Sequence, residues 1–178
     1  AIAQRLAAEG ACVVVADIDP VSAEAVAREL GGTDTAISLV ADVTDEAQVV
    51  AALRRAVLAF GGVDLVVNNA GLSISKSLLE TTVADWDLQH DVMARGSFLV
   101  SREAARVMID QAMGGDLIYI VSKNALFAGP NNVGYGSSKA DQAHQVRLLA
   151  AELGQYSIRV NGINPDGEFY GRVGATAK

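Results

Sequence analysis

The chain has 178 residues, about half of them apolar, which is enough for one folded domain and argues against disorder. Its 14 basic and 21 acidic residues give a net charge of −7 without any basic cluster, which argues against nucleic acids and anionic membranes as partners. The apolar runs are as long as strands and too short to span a membrane, and no signal peptide is visible. We therefore expect a single domain over residues 1–178 in a cytoplasmic protein.

The first residues already have a helical pattern, with Ile2 and Leu6 among alanines and Gly10 as the end of the helix. Residue 1 is not Met, and we expect the chain to be cropped at its N-terminus. Its one cysteine, Cys12, has no partner for an internal disulfide. We expect Cys12 to pack inside an apolar strand as a small hydrophobic residue.

Five apolar segments predict β-strands, at 11–16, 35–40, 63–67, 116–121 and 157–163. Helical patterns separate them, at about 20–30, 44–60, 83–112 and 132–153, with Thr44 as the expected N-cap of the second of these. Strands that alternate with helices predict an α/β fold with an open parallel sheet covered on both faces. The glycine-rich tail after Pro165 is expected to be a loop.

Polar residues end the first two predicted strands, and open α/β sheets bind ligands at this edge. The Asp17 carboxylate could accept hydrogen bonds from both ribose hydroxyls of an adenosine and would repel a 2′-phosphate, which favours NAD over NADP. A helix cap or a solvated turn is the alternative role of Asp17. Asp42 could bond an adenine amino group while Val43 packs on the ring, although the spacing fits a helix cap equally well.

Asn68, Asn69, Ala70 and Gly71 end the third predicted strand. Small residues at this point would let a ligand approach the backbone, and the amide side chains could brace neighbouring strands. A plain turn is the alternative.

The stretch from Ser122 to Lys139 predicts a group of residues that transfers a proton. Tyr135 and Lys139 are four residues apart, so they lie on the same face of a helix. An ammonium beside a phenol favours the phenolate and lowers the tyrosine pKa from its usual value of about 10. The Ser122 hydroxyl could orient a substrate oxygen while Tyr135 acts as acid or base. Each residue alone would more often be structural, whereas the three together at one sheet edge favour catalysis.

Five motifs in order resemble the short-chain dehydrogenase/reductase family: Asp42-Val43, Asn68-Asn69-Ala70-Gly71, Ser122, Tyr135-x-x-x-Lys139 and Asn164-Pro165. The resemblance covers the chain from Ala1 to about Gly167. It implies a Rossmann-like, doubly wound parallel sheet in three α/β/α layers. It also implies a nicotinamide-dependent oxidoreductase that acts on a small alcohol, aldehyde or sugar-derived hydroxy compound.

The resemblance also implies a role for each matching residue. Tyr135 would be the general acid/base, Ser122 would hold the substrate hydroxyl or carbonyl, and Lys139 would bond the nicotinamide ribose and depress the tyrosine pKa. The expected cofactor is NAD, with NADP disfavoured by Asp17, and no metal is expected. The residues that match the family's cofactor contacts are Asp17, Asp42, Val43, Asn68, Ala70, Gly71, Tyr135 and Lys139.

Two segments, 121–125 and 91–94, look like the dehydrogenase domain of fused proteins that join a rhamnulose-1-phosphate-type aldolase to lactaldehyde oxidation. In the family the two long helices, here about 83–112 and 132–153, build the oligomer interface, so a homodimer or homotetramer is expected. The competing hypothesis is a catalytically inactive Rossmann-like interaction domain. A methyltransferase on a similar sheet fits worse, because it would leave the tyrosine and lysine without a task.

The sequence departs from the family at its start. The family's first strand and its Thr-Gly-x-x-x-Gly-x-Gly loop, which holds the cofactor's pyrophosphate, would precede Ala1. Without that strand, the strands ending at Asp17 and Val67 should lack a central partner. Without that loop, this chain should bind a dinucleotide poorly or not at all.

Two further departures lie inside the chain. Met93 takes the place of an asparagine that the family usually carries at a kink in the long helix, where a water joins the proton relay to the lysine. A thioether cannot donate a hydrogen bond, so another group must hold the water or the relay is altered. Met93 itself is expected to be a packing residue. Asn164-Pro165-Asp166-Gly167 replaces the family's usual Pro-Gly, and most of the substrate pocket is expected beyond it.

Overall fold

The computed structural model describes residues 1–165, so the predicted tail loop and Asp166-Gly167 lie outside the described residues. Its helices are α1 (Ile2–Ala8), α2 (Pro20–Glu29), α3 (Glu46–Phe60), α4 (Val83–His90), α5 (Gly96–Gln111) and α6 (Val133–Leu153). Its strands are β1 (Val13–Asp17), β2 (Ala36–Val40), β3 (Leu65–Asn68), β4 (Gly115–Ile120) and β5 (Ile158–Ile163). Short 3-10 helices follow β4 and α6, at Lys123–Ala125 and Gly154–Tyr156. The predicted alternation of strands and helices is confirmed.

The five strands form two parallel sheets, one of β1 and β2 and the other in the order β3-β4-β5. Within residues 1–165, β1 pairs only with β2 and β3 only with β4. This division agrees with the prediction that the strands ending near Asp17 and Val67 lack a central partner. It leaves one backbone edge of β1 and one of β3 outside any sheet.

The larger core lies between the β3-β4-β5 sheet and the helices packed on it. Its most deeply buried large side chains include Leu117 and Tyr119 of β4, Met108 of α5 and Ile158 of β5. Burying each such side chain contributes about 1.5–3 kcal/mol. Val14 of β1 packs against the same core, so apolar packing connects the two sheets although no strand does.

Two local predictions are wrong. Thr44 does not cap α3, because the Asp45 carboxylate accepts the hydrogen bonds from the first amides of the helix, Ala47 N at 2.9 Å and Gln48 N at 3.2 Å. The Thr44 hydroxyl instead donates to Asp42 Oδ1 at 2.8 Å. Cys12 is exposed rather than packed, because β1 begins one residue later, at Val13.

The predicted long helix at 83–112 is divided by a π-helical turn, Asp91–Arg95, between α4 and α5. Two backbone carbonyls of this π-turn, Met93 O and Ala94 O, accept hydrogen bonds from side-chain amides of α6. π-Turns are rare and are found frequently at functional sites. No helix within residues 1–165 combines the length and the hydropathy required to cross a membrane.

Candidate functional site

The Ser122 side chain lies just beyond the carboxyl end of β4, where the chain leaves the sheet. Ser122 is buried, and its Oγ accepts a hydrogen bond from Asn124 N at 3.1 Å, which caps the 3-10 helix that follows. Because the backbone amide donates this bond, the serine keeps its own hydroxyl hydrogen to donate to another oxygen. Ser122 can therefore hold an oxygen atom at the sheet edge.

Lys139 is buried at the same edge, with only 4% of its surface exposed. Its Nζ donates to Ile120 O of β4 at 2.7 Å and to Gln142 Oε1 at 2.9 Å. Burial disfavours the charged form and lowers the pKa of Lys139 from 10.5 to about 8. The lysine thus connects α6 to the last residue of β4 and exchanges its proton closer to neutral pH than an exposed lysine does.

Tyr135 lies one turn before Lys139 on α6, as the sequence spacing predicts. The Lys139 Nζ is 5.8 Å from the centre of the Tyr135 ring, and the tyrosine is half-buried. The structure therefore brings an ammonium group and a phenol together beside the carboxyl ends of β3 and β4. The catalytic roles predicted for Ser122, Tyr135 and Lys139 stay predictions.

The inner side of the site contains a glutamine that the sequence interpretation missed. Gln142 is fully buried, and its Nε2 donates to Met93 O at 3.0 Å and lies 3.2 Å from Ser97 Oγ. The available signal was its position three residues after Lys139, on the same helical face. Met93 is also buried, with its sulfur 3.8 Å from Ser138 Oγ, which confirms its predicted role as a packing residue.

The predicted adenosine-binding residues lie at the ends of β1 and β2. Asp17 is exposed, and its Oδ1 accepts a hydrogen bond from Asp19 N at 3.0 Å. Asp42 accepts bonds from the backbone N and hydroxyl of Thr44, both at 2.8 Å, so its side chain already stabilises the turn before α3. Val43 packs against Gly96, where an added Cβ would come within 2.8 Å of Val43 Cγ2. This contact places the carboxyl end of β2 against the start of α5.

The predicted residues after β3 divide into two groups. Asn68 is buried, and its side-chain amide donates to Ser101 Oγ at 2.9 Å, which braces the strand against α5. Ala70 and Gly71 are exposed, so their backbone is open to a ligand. A Cβ added to Gly71 would lie 3.7 Å from Lys139 Nζ, so the glycine keeps the space beside the ammonium free of a side chain.

These donors and acceptors fit a nicotinamide dinucleotide. The exposed Asp17 carboxylate suits the hydroxyls of a ribose, and the open backbone at Gly71 allows a close approach. Within residues 1–165, two of the three Lys139 donors have acceptors, Ile120 O and Gln142 Oε1, so the third can be offered to a ligand. Within residues 1–165, no group of three or more His, Cys, Asp or Glu side chains could hold a metal ion.

A cavity of about 410 Å³ opens on the outer side of the turn after Ser122. Exposed apolar side chains line it, together with the backbone at the start of α6; Leu78, Leu126, Phe127, Val133 and Gly136 are among the lining residues. Ser122, Tyr135 and Lys139 do not line this cavity, so it adjoins their site without containing it.

Comparison with known proteins gives a consistent result. Residues 1–168 match the family described as short chain dehydrogenase. A relative from Bacillus subtilis (strain 168), described as uncharacterized oxidoreductase YuxG, is 43% identical over 174 residues, which are 96% of this chain and 25% of the relative.

Two solved structures share the fold. The sorbitol-6-phosphate 2-dehydrogenase SrlD from Erwinia amylovora has a TM-score of 0.88 and 32% identity, over 92% of this chain and 65% of that one. A gluconate 5-dehydrogenase from Burkholderia cenocepacia J2315, in complex with NADP and tartrate, has a TM-score of 0.85 and 31% identity, over 92% and 64% of the two chains.

The similarity to both structures confirms the predicted Rossmann-like parallel α/β fold. The chain spans a quarter of the length of the Bacillus relative and slightly less than two thirds of each solved structure. The predicted kinship with fused aldolase/dehydrogenase proteins is not shown by these matches and stays a prediction.

Proposed function

We propose that this chain is part of an oxidoreductase that moves a hydride between a nicotinamide cofactor and a small hydroxy compound. The premise is that the chain belongs to the short-chain dehydrogenase family. The observation that carries this proposal is the pairing at the carboxyl end of β4. There, Lys139 is held by Ile120 O and Gln142, and its Nζ is 5.8 Å from the centre of the Tyr135 ring. A phenol beside a buried ammonium, with Ser122 at the same strand end, is a set of groups suited to moving a proton.

In the oxidation direction, Tyr135 takes the proton from the substrate hydroxyl and Ser122 holds the same oxygen through its free hydrogen. A nicotinamide cofactor bound at this site would supply the acceptor for the hydride that leaves the substrate carbon. The positive charge of Lys139 stabilises the negative charge on the Tyr135 oxygen, since the two side chains are close and the lysine is shielded from solvent. In the reverse direction Tyr135 returns the proton to a carbonyl oxygen.

The cofactor we propose is NAD, and Asp17 is the reason. Its exposed carboxylate can accept hydrogen bonds from two ribose hydroxyls and would repel a 2′-phosphate. Ala70 and Gly71 would contribute their open backbone. Asn68 and Asp42 already bond Ser101 and Thr44, so they would support the cofactor by holding the ends of β3 and β2 in place.

The substrate class we propose is a small polyol or another sugar-derived alcohol. The names of two structural relatives, a sorbitol-6-phosphate 2-dehydrogenase and a gluconate 5-dehydrogenase, support this choice. Self-association through α5 and α6 also stays a prediction, supported by the exposed apolar side chains Phe98 and Leu148 on these helices.

Tyr135→Phe tests the proposal. The measurement uses the chain extended at both ends with the corresponding segments of the Bacillus relative, because we expect the cofactor's phosphates to need a glycine-rich loop. The rate of NAD reduction with a panel of sugar alcohols should fall about 1,000-fold, since phenylalanine lacks the oxygen that accepts the proton of the substrate hydroxyl. NAD affinity by calorimetry should change little, because the ring and Lys139 remain.

Tyr156→Phe is the matched control, because Tyr156 is an exposed tyrosine in the 3-10 helix after α6. It should keep full turnover. If Tyr135→Phe turns over like the unmodified protein, the proposed mechanism is wrong. If the extended chain binds no NADH at all, the inactive interaction domain becomes the better hypothesis.

A further inference from the structure

We propose that Gln142 is a positioning residue for Lys139, whose amide connects the lysine ammonium to the Met93 carbonyl in the π-turn. Gln142 is 1% exposed, and both ends of its amide are used. Its Oε1 accepts from Lys139 Nζ at 2.9 Å, and its Nε2 donates to Met93 O at 3.0 Å. The catalytic consequence rests on the proposed function, whereas the link itself does not.

The chemistry of its neighbours fixes the orientation of this amide. If the Gln142 amide were rotated by half a turn, its NH₂ group would face the Lys139 ammonium and its oxygen would face the Met93 carbonyl. Donor would then oppose donor and acceptor would oppose acceptor, and each buried unsatisfied group costs about 1–3 kcal/mol. Ser97 Oγ lies 3.2 Å from Gln142 Nε2 and gives the NH₂ group a second partner. Only one arrangement satisfies all of these groups.

Gln142 and Ile120 O together fix two of the three donors of Lys139. The third donor is left for the open side of the ammonium, where Gly71 has no side chain and where the Tyr135 ring lies. A lysine held by only one acceptor could rotate this donor away. Gln142 therefore acts on the reaction through Lys139 and does not touch the substrate.

The groups that face the Lys139 ammonium determine how its titration is interpreted. Tyr135, on the same helix, is the titratable group next to it. The other elements contribute the Ile120 carbonyl from β4 and the backbone of Gly71 after β3, and neither of these titrates. Burial is the cause of the lowered pKa of Lys139, and a titration repeated with Tyr135→Phe separates a change at Gln142 from the ionisation of the neighbouring phenol.

The backbone carbonyl of Met93 is the second group that the Gln142 amide bonds. The methionine side chain packs and its sulfur accepts from Ser138 Oγ. Its backbone oxygen lies in the π-turn and accepts from both Gln142 Nε2 and the Ser97 hydroxyl. A side chain of α6 thus connects this carbonyl to the ammonium without a solvent molecule. The Gln142 amide is thus a hydrogen-bond donor beside Met93, whose thioether cannot donate.

The test is an NMR titration of the lysine side chains in the 178-residue chain without cofactor. The chain has four lysines, Lys76, Lys123, Lys139 and Lys178, so ¹³Cε-labelled lysine gives few signals, and Lys139→Met assigns the relevant one. Gln142→Met removes the acceptor with little change of volume, and the pKa of Lys139 should fall by about one unit because a hydrogen bond to a charged group is lost. Gln142→Glu places a carboxylate at the same distance and should raise this pKa.

Gln145→Met is the matched control. Gln145 lies one turn further along α6, and its Nε2 donates to Ala94 O of the same π-turn at 2.8 Å, but the contacts of Lys139 do not include it. This variant should leave the Lys139 titration unchanged. The proposal is overturned if both Gln142 variants titrate like the unmodified chain, or if Gln145→Met shifts Lys139 as much as they do. If Gln142→Met does not fold, the upward shift in Gln142→Glu decides the question alone.

A second readout separates this proposal from the proposed function. In the extended chain, Gln142→Met should lower turnover about tenfold and move the pH profile of oxidation, and the KM for NAD should rise because the third donor of Lys139 is less well held. If Tyr135→Phe retains turnover, the proposed function fails while the NMR result still decides the role of Gln142. If Tyr135→Phe abolishes turnover but Lys139 titrates identically in all variants, only the Gln142 proposal fails.

Discussion

Two clusters of buried polar groups connect the β3-β4-β5 sheet to helices α5 and α6. Each contains one ionisable side chain, and the pKa values of these two side chains are shifted in opposite directions. In the Tyr119 cluster, the phenol oxygen lies 2.6 Å from Ser101 Oγ and 3.2 Å from Gln145 Oε1, and Asn68 bonds the same serine. The Lys139 cluster consists of Lys139, Gln142, Ser97 and the carbonyls of Met93 and Ile120. The first lies inside the core and the second at its edge.

Burial acts on both ionisable groups, but with opposite signs. It raises the pKa of Tyr119 to about 12, because the protonated phenol is the neutral form. It lowers the pKa of Lys139 to about 8, because the protonated lysine is the charged form. Tyr119 therefore stays neutral at any ordinary pH and contributes only to stability. Lys139 can change its charge near neutral pH, beside a second ionisable side chain at an open strand end.

The largest effect predicted from this contrast concerns stability against pH. Below about pH 8 Lys139 is charged in both states, and the folded chain bears the cost of burying that charge, about 3 kcal/mol for a shift from 10.5 to about 8. Between pH 8 and pH 10.5 the unfolded chain holds a proton that the folded chain has lost. The free energy of unfolding should therefore rise with pH across this window by about 3 kcal/mol relative to Lys139→Met.

Urea denaturation of the two chains at several pH values measures this difference. Arg54→Met is the control, because Arg54 is an exposed basic residue of α3. Its pH dependence should run parallel to that of the unmodified chain. If the free energy of unfolding of Lys139→Met also runs parallel to that of the unmodified chain across this pH range, Lys139 is not buried as a charged group.

The Tyr119 cluster should respond to mutation in stability and not in chemistry. Tyr119→Phe removes a hydroxyl that lies close to both Ser101 and Gln145, so the free energy of unfolding at pH 7 should fall by about 1–3 kcal/mol. Turnover per folded molecule of the extended chain should stay close to that of the unmodified protein. Tyr135→Phe should give the reverse pattern, with a large loss of turnover and a smaller change in urea midpoint. A large loss of turnover in Tyr119→Phe would break the distinction between the two clusters.

The two clusters also show which parts of the fold and of the site could be predicted from the sequence alone. Alternating strand and helix patterns predicted the parallel α/β fold, and the unpartnered strands ending near Asp17 and Val67 followed from the motifs. Tyr135 and Lys139 were found because four residues make about one helical turn, which places both side chains on one face. These features depend on local periodicity and on motif order, and both can be read from one chain.

The features that were missed depend on contacts between distant segments. The π-turn at Asp91–Arg95 breaks no hydrophobic pattern, and two of its carbonyls bond amides from α6, about 50 residues away. Gln142 looks like an ordinary polar residue of a helix until its neighbours are known. The sequence predicts Thr44 as the cap of α3, but Asp45 suits that position equally well. The Thr44 hydroxyl bonds the Asp42 carboxylate, a contact that the pattern does not reveal.

The smallest predicted effect lies away from both clusters, at the end of β1. Asp17→Asn removes the charge that should repel a 2′-phosphate but keeps an oxygen that can accept the bond from Asp19 N. In the extended chain, the preference for NAD over NADP should therefore fall about tenfold, as measured by kcat/KM with each cofactor. The loss should appear mainly as better use of NADP.

Asp19→Asn gives this prediction its sharpest control. Asp19 carries a charge two residues from Asp17, and it caps α2 by accepting from Val21 N at 3.0 Å, a role that asparagine performs equally well. A general effect of negative charge near this strand end would change the cofactor preference in both variants. A specific contact with the ribose would change it only in Asp17→Asn. If the cofactor preference changes equally in the two variants, Asp17 does not contact the ribose. The preference for NAD over NADP would then come from the general negative charge near this strand end.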